Sequence, residues 1–217
     1  MVDDPPRFNL LKLDRPAVVL GSGPNARPPD GVENWALLTV NGSQSLAAGW
    51  VKSDPDLTLF GTTVLGMRPS NREAQAVLRG LHTRLLVMVR DGSNPLLHSF
   101  NLWRIGYRYD RRVLLSTTQR ASVFEAVLGK SLGSVAKPSN GIFLVLIALH
   151  LGAPKILMTG FSLSQAGHGY SAANHPRNHA GADGSILAEL ARRGAPVFAN
   201  DPDFARESGL RLLPETN

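Results

Sequence analysis

The apolar residues of this chain fall into short runs, and glycine or small polar residues follow most of them. Short apolar runs that end in this way are typical of buried strands. The predicted strands are Ala17–Leu20, Trp35–Val40, Leu57–Phe60, Leu85–Val89, Val113–Leu115, Ile156–Thr159 and Pro196–Ala199.

Amphipathic segments lie between several of these runs. Ser70 or Asn71 caps a predicted helix that runs to about Leu81, and Asp183–Arg193 forms another that ends at Gly194. A third predicted helix, Gln119–Leu132, places its apolar residues Ala121, Phe124, Val127 and Leu128 on one face. The alternation predicts an α/β fold: a doubly wound, Rossmann-like parallel sheet in a single domain of residues 1–217.

One stretch organises the rest of the chain. Ser139 or Asn140 caps a helix that is apolar nearly all round, and the strand that follows it stops at Gly160. A buried helix that leads into a central strand has a fixed starting point. The amides of Asn140 and Gly141 are therefore expected to form an anion site, with Lys137 beside it.

The sequence becomes polar after Gly160, and residues 161–182 are predicted to form a short lid. This segment carries His168, Tyr170, His175, Arg177 and His179. The spacing of His175 and His179 would suit a metal on a helix, but Pro176 and Gly181 argue against a helix there. No metal site is predicted.

The residues Gly21-Ser22-Gly23-Pro24 follow the first predicted strand. With Asn25 and Ala26 they satisfy the G-x-G-x-x-A dinucleotide fingerprint. A proline-rich loop follows where the fingerprint needs a helix, and Asn41 ends the second strand where it needs an acid. An NAD or S-adenosylmethionine site remains an alternative, and the loop is expected to bind a nucleotide through its backbone amides.

The segment Trp103–Arg112 mixes aromatic and basic residues. Such a mixture suits single-stranded nucleic acid or an anionic carbohydrate. We favour an exposed loop whose aromatic residues anchor it to the core. No specific nucleic-acid partner is expected.

Composition narrows the possible classes of protein. The chain has 217 residues, no cysteine and a formal net charge of +6, and its pI is near 10.2. The absence of cysteine excludes thiolate chemistry and fits a reducing cytoplasm. The charge favours anionic partners, although a basic proteome would explain it equally well.

The sequence shows no sign of a targeting or membrane-spanning segment. The acidic, proline-bearing N-terminal stretch resembles neither a signal peptide nor an anchor. The longest apolar run, Ile142–Leu151, is too short to span a bilayer.

Several of these motifs together resemble the CMP-sialic-acid-dependent sialyltransferases, especially the small bacterial enzymes and related glycosyltransferases of lipopolysaccharide and capsule synthesis. The resemblance runs from Ala17 to Gly209. It rests on the Gly21 loop, Asn41, Ser139-Asn140-Gly141, the strand end at Gly160, and His179 ahead of an acid-bearing helix.

The resemblance implies a role for each matching residue. The donor nucleotide would be held by Gly21, Ser22, Gly23 and Pro24 of the first loop and by Asn41, Lys137, Ser139, Asn140 and Gly141. Tyr170 would stabilise the departing phosphate, and His179 would be the general base for the acceptor hydroxyl.

The resemblance also implies a metal-independent enzyme that uses no cofactor apart from its CMP-sugar donor and acts on a glycan or glycolipid acceptor. Peripheral association with the inner face of a membrane and homo-oligomerisation stay open. The chain departs from the family pattern in three places: a second tyrosine is missing near Ser164, Lys137 replaces an arginine, and Gly61-Thr62 replaces an asparagine. These departures keep a non-catalytic, nucleotide-binding homologue as an alternative.

Overall fold

The protein, described from a computed structural model, contains one eight-stranded sheet with helices on both faces. The structure describes residues 12–30, 34–61, 64–66, 68–89, 95–131, 137–171 and 179–213. The strands are β1 (Ala17–Leu20), β2 (Ala36–Val40), β3 (Leu57–Phe60), β4 (His82–Val89), β5 (Arg108–Leu115), β6 (Ile156–Thr159), β7 (Val197–Ala199) and β8 (Arg211–Leu212). The helices are α1 (Pro69–Leu78), α2 (Pro95–Ile105), α3 (Thr117–Leu128), α4 (Asn140–His150), α5 (Ala180–Arg192) and α6 (Pro202–Ser208), and a 3₁₀ helix covers Asn41–Ala47.

All neighbouring strands are parallel, in the order β5-β4-β3-β2-β1-β6-β7-β8. The chain builds outward from β1 to β5 and then crosses back to add β6 on the other side of β1. The predicted doubly wound α/β sheet is therefore confirmed. Its topological switch point lies between β1 and β6, where Leu20 pairs with both Thr39 and Thr159. Open sheets of this kind bind ligands beyond the carboxyl ends of the strands at that point.

The main hydrophobic core lies on the face of the sheet that α3, α4 and α5 cover. Ile142 to Ala148 of α4 are all buried, as the apolar sequence of this helix predicts. A second cluster, which includes Phe60 and Met88, lies on the opposite face under α1 and α2. In the part of the chain that the structure describes, no helix is long and apolar enough to cross a membrane.

Several elements differ from the sequence-based prediction. The proposed exposed loop at Trp103–Arg112 is wrong, because the segment comprises the end of α2 and most of β5. Charged residues are tolerated in β5 because it is an edge strand and pairs on one side only. The segment after β7 forms α6 and β8, which the sequence analysis did not predict.

The predicted lid is shorter than expected, since α5 begins at Ala180 rather than Asp183 and takes up residues 180–182. His175 and Arg177 lie outside the described residues. The part of the lid that is described begins against α6. There the Glu207 carboxylate accepts a hydrogen bond from the Leu163 amide at 2.6 Å and another from the Ser162 hydroxyl at 3.1 Å.

Candidate functional site

A pocket of about 430 Å³ opens at the carboxyl edge of the sheet, over the switch point. Its walls come from the ends of β1, β2, β4 and β6, the start of α4, the lid and α5. Eight of the predicted site residues line it: Gly21, Ser22, Asn41, Lys137, Ser139, Asn140, Gly141 and His179. Gly23, Pro24 and Tyr170 are not among the lining residues. The fold thus gathers in one place residues that are more than 150 positions apart in the sequence.

The glycine loop after β1 packs backbone to backbone against the end of β6. The Gly21 amide donates to the Thr159 carbonyl at 2.8 Å, and the Gly23 amide donates to the Gly160 carbonyl at 2.7 Å. A Cβ atom at Gly21 would lie 2.4 Å from the Gly160 oxygen, which no side chain could tolerate. These two amides are therefore bonded within the protein and are not available to a nucleotide, contrary to the expectation from the sequence. Gly23 contributes to the site by shaping the loop. The Ser22 hydroxyl bonds to Nδ1 of His168 at 2.7 Å.

Asn41 ends β2 in a left-handed conformation, with φ of 50°. Asparagine adopts this conformation more readily than most residues. Its Oδ1 accepts a hydrogen bond from the Gly61 amide at 2.8 Å, which ties the end of β2 to the end of β3. A Cβ atom at Gly61 would lie 2.2 Å from Nδ2 of Asn140. The side chains of Asn41 and Asn140 therefore both lie beside Gly61, at the position where the family pattern would place an asparagine.

The start of α4 is held from two sides. Ser139 is its N-cap, and the Ser139 hydroxyl accepts a hydrogen bond from the Ile142 amide at 3.3 Å. The Ser139 amide donates to the buried Asp183 carboxylate on α5 at 2.8 Å. A Cβ atom at Gly141 would lie 2.8 Å from the ring of Phe161, which follows β6. The first amides of a helix carry partial positive charge, and Asn140 and Gly141 at this start line the pocket.

His179 stands at the N-terminus of α5, exposed beside the pocket. Its Nδ1 lies 3.0 Å from the carbonyl oxygen of Lys137. A carbonyl oxygen only accepts, so we assign the proton to Nδ1. Nε2 of the neutral ring is then left as a proton acceptor, which is the form that a general base requires.

Tyr170 belongs to the lid but does not line the pocket. Its ring stacks on His168 with a centroid distance of 5.1 Å, and its edge packs on Gly42, where a Cβ atom would be 2.8 Å from Cζ. Burial, with a smaller effect from Glu73, raises the pKa of the Tyr170 hydroxyl to about 12. The phenol is therefore protonated at neutral pH, and its ring contacts His168, which lines the pocket.

Arg120 on α3 is a pocket residue that the sequence analysis missed. Its side chain is only 4% exposed, and its guanidinium stacks on the Phe143 ring at 4.6 Å. Nη2 donates a long hydrogen bond of 3.4 Å to the Pro138 carbonyl, while Nε has no partner in the described structure. Burial lowers the pKa of Arg120, although arginine remains charged in proteins. Arg120 shares one helical face with Phe124 and Leu128, which indicates that it is buried, but the spacing does not indicate that it reaches the pocket.

The charges around the pocket favour an anionic ligand. Arg120, Lys137 and the start of α4 supply positive charge, and Asp183 is the one carboxylate among the described lining residues. That carboxylate already accepts the Ser139 amide. Within the described ranges, no three His, Asp or Glu side chains come together as a possible metal site.

The fold resembles those of known sialyltransferases. The chain aligns with the sialyltransferase CST-II in complex with a trisaccharide acceptor and CMP at 12% identity and a TM-score of 0.58, over 93% of this chain and 88% of that one. It aligns with CstII from Campylobacter jejuni in complex with the substrate analogue CMP-3FNeuAc at 12% identity and a TM-score of 0.54, over 92% and 86% of the two chains. The monofunctional α-2,3-sialyltransferase Cst-I from Campylobacter jejuni aligns at 12% identity and a TM-score of 0.56, over 94% and 83%.

At this level of identity the likeness shows the fold, and it confirms the fold expected from the sequence motifs. No protein-family model matches the chain, and a search of curated proteins finds no significant match.

Proposed function

We propose that this protein is a glycosyltransferase that moves a sialic-acid-like keto-acid sugar from a CMP donor to a glycan acceptor. The observation that carries the proposal is the convergence, in one switch-point pocket, of the α4 start, the Asn41–Asn140 pair and His179. The structural likeness to sialyltransferases supports the same choice.

The donor would be held by groups that suit its charges. The phosphate would meet the amides of Asn140 and Gly141 at the helix start, with Lys137 beside them. A keto-acid sugar carries a second anion, its carboxylate, and the buried Arg120 guanidinium supplies a second cation in the same pocket. Because these groups already balance the donor's charge, we propose that the reaction needs no metal.

In the proposed step, the acceptor hydroxyl loses its proton to Nε2 of His179 and attacks the anomeric carbon. The bond between that carbon and the phosphate oxygen breaks, and CMP leaves with the electron pair. The Lys137 carbonyl holds the imidazole in the required tautomer. Tyr170 would assist through His168, since it does not itself line the pocket.

A nucleotide panel tests the binding half of the proposal. CMP should raise the melting temperature more than CDP, UDP, GDP, NAD or S-adenosylmethionine, and should do so in EDTA, because selective binding to the folded state stabilises it. The largest shift from NAD or S-adenosylmethionine would favour the dinucleotide alternative. The geometry already disfavours that alternative, since residues 26–29 after the glycine loop are irregular where the fingerprint needs a helix.

A transfer assay with CMP-sialic acid and a panel of oligosaccharide acceptors tests the chemistry. His179→Ala should bind CMP like the wild type but lose roughly a hundredfold in rate, the usual contribution of a general base. His82→Ala is the control, because His82 lies on β4, bonds to Asp110 and does not line the pocket. Full activity of His179→Ala would refute the assigned role.

The second candidate function is nucleotide binding without catalysis. The position of Tyr170 outside the pocket lining favours it. CMP binding by a wild-type protein that transfers no keto-acid sugar would select this alternative.

A further inference from the structure

Helix α2 has two apolar faces, and the sheet covers only one of them. His98, Leu102 and Ile105 are buried on the inner face, where Leu102 and Ile105 join the second hydrophobic cluster. The opposite side, which we call the α2 outer face, consists of Leu96, Leu97, Phe100 and Trp103. Their side chains are 76%, 54%, 55% and 75% exposed. A helix that is apolar on both sides normally has an apolar neighbour on both sides.

The outer face is a continuous surface. Four of the six strongly exposed large hydrophobic residues in the described structure belong to it. Leu96, Phe100 and Trp103 follow the helical i, i+4, i+7 spacing, and the Phe100 and Trp103 rings are in contact, with centroids 5.8 Å apart. Isolated exposed apolar residues are ordinary in soluble proteins, whereas a contiguous patch marks an interaction surface.

Arginine residues border this patch. Arg104 follows Trp103 on the same helix and is exposed. Arg112 on β5 donates to the Ser99 hydroxyl of α2 at 2.8 Å, and Arg108 on the same strand is exposed. The acidic side chain within this strand, Asp110, bonds to His82 at 2.9 Å. An apolar helix face with Trp, Phe and Leu at its centre and arginine at its border matches an interfacial membrane helix.

We propose that the α2 outer face docks the protein on an anionic lipid surface. The aromatic and leucine side chains would enter the boundary between headgroups and acyl chains, and the arginines would meet lipid phosphates. The formal net charge of +6 adds a long-range attraction to the same surface.

A second copy of the chain is a less suitable occupant of this face. In a two-fold symmetric contact through α2, both copies would bring Arg104, Arg108 and Arg112 to one interface. The contact would then gather six positive charges, and the carboxylate of β5, Asp110, already bonds to His82. The positive charge of these arginines is complementary to lipid phosphate and opposes self-association.

The docking proposal does not rest on the proposed transferase activity, but the two fit together spatially. α2 follows β4, whose last residue, Val89, lines the pocket. The first turn of α2 therefore lies at the same edge of the sheet as the pocket. A lipid-linked acceptor could reach that edge from a docked membrane.

Vesicle co-sedimentation of the full chain tests the proposal. Wild-type protein should sediment with vesicles of phosphatidylcholine plus phosphatidylglycerol, and much less with phosphatidylcholine alone. The double variant Phe100→Ser/Trp103→Ser should partition at least roughly tenfold more weakly, since two large apolar side chains no longer enter the lipid. Arg108→Gln should weaken binding less and reduce its salt dependence.

Two matched variants serve as controls. Val51→Ser removes an apolar side chain that is 99% exposed but lies elsewhere, in the loop before β3. Arg206→Gln removes an exposed arginine on α6. Both should bind vesicles like the wild type. Because the altered side chains are exposed, the melting temperature should stay close to that of the wild type, and Leu96→Ser provides a second test if the double variant is unstable.

Three results would overturn the proposal. They are wild-type protein that stays in the supernatant, a double variant that sediments like the wild type, and oligomers of the free protein that the double variant abolishes. The last result would show that a second copy covers the face.

Discussion

Asn41 has a structural role as well as a place in the proposed nucleotide site. It combines a positive φ with a hydrogen bond to the Gly61 amide. Asn41→Ala should therefore cost about 1–2 kcal/mol of unfolding free energy, since alanine is strained in the left-handed region. Asn41→Gly relieves the strain but also loses the amide, so it should be more stable than Asn41→Ala while binding CMP equally weakly. Urea denaturation and CMP titration of both variants measure the two effects separately, and equal stability of the two variants would contradict this reading of the backbone.

Arg120 illustrates a residue whose role is better explained by a ligand than by folding. A buried guanidinium with an unpartnered Nε costs desolvation free energy that the Phe143 stack and one long hydrogen bond recover only in part. Arg120→Met should accordingly melt at the same temperature as the wild type or higher. It should bind the CMP-sugar donor at least roughly tenfold more weakly, because a charge-assisted contact is lost.

Comparing two ligands identifies which anion Arg120 meets. If Arg120→Met weakens CMP-sialic acid binding and leaves CMP binding intact, the guanidinium contacts the sugar carboxylate. If both ligands bind more weakly, the guanidinium contacts the phosphate. Arg193→Met is the control, since Arg193 donates to the Leu128 carbonyl outside the pocket, and this variant should lose stability and keep affinity. Unchanged affinity of Arg120→Met for both ligands would remove Arg120 from the site.

At the scale of single elements, α4 and α5 offer a matched pair of helix glycines. Both Gly141 and Gly181 lie in the first turn of their helices, where alanine is favoured by up to about 1 kcal/mol. A Cβ atom at Gly181 meets nothing within 4 Å, whereas at Gly141 it would lie 2.8 Å from the Phe161 ring. That ring is itself stacked on Phe204 with centroids 5.8 Å apart, so it cannot move freely.

We therefore expect Gly181→Ala to be neutral or stabilising, and Gly141→Ala to be destabilising with weaker CMP binding, because Gly141 and Phe161 both line the pocket. Equilibrium denaturation and a CMP titration of the two variants provide the measurement. Stabilisation by both substitutions would mean that the α4 start adjusts easily and is not the fixed anion site described above.

The elements that the sequence predicted well are those whose local pattern and tertiary burial agree. α4 is apolar all round and has a Ser139 cap, so its start and its burial could both be read from the chain. The sequence predicted β5 and α2 poorly, because in these two elements the local pattern and the burial do not agree. α2 is apolar on its exposed side as well as on its buried side, and β5 carries arginines along an edge strand with little burial. Neither element therefore shows the alternation expected of a half-buried helix or strand.

At the scale of the whole molecule, the sequence predicted the parallel sheet but not the detailed composition of the site. Motifs at strand ends converge by topology, so Gly21, Asn41 and Ser139 could be placed together before any geometry was known. Arg120 and the displacement of Tyr170 depend on how α3 and the lid pack across the core, which no local pattern specifies. The bonding of the Gly21 and Gly23 amides within the protein is likewise visible only once β6 lies beside β1.

The molecule carries two proposed anion-binding regions that should respond differently to salt. Arg120 lies 96% buried in the pocket, whereas Arg104 and Arg108 beside the α2 outer face are exposed. The Debye length falls from about 10 Å at 0.1 M salt to about 3 Å at 1 M, which screens exposed charges far more than buried ones. Over this range the dissociation constant of CMP-sialic acid, whose carboxylate is proposed to meet Arg120, should rise much less than vesicle binding falls, and vesicle binding should fall roughly tenfold. Isothermal titration and co-sedimentation over the same salt series make the comparison. A CMP-sialic acid affinity that fell as steeply as vesicle binding would place the donor on an exposed basic surface instead of in the switch-point pocket.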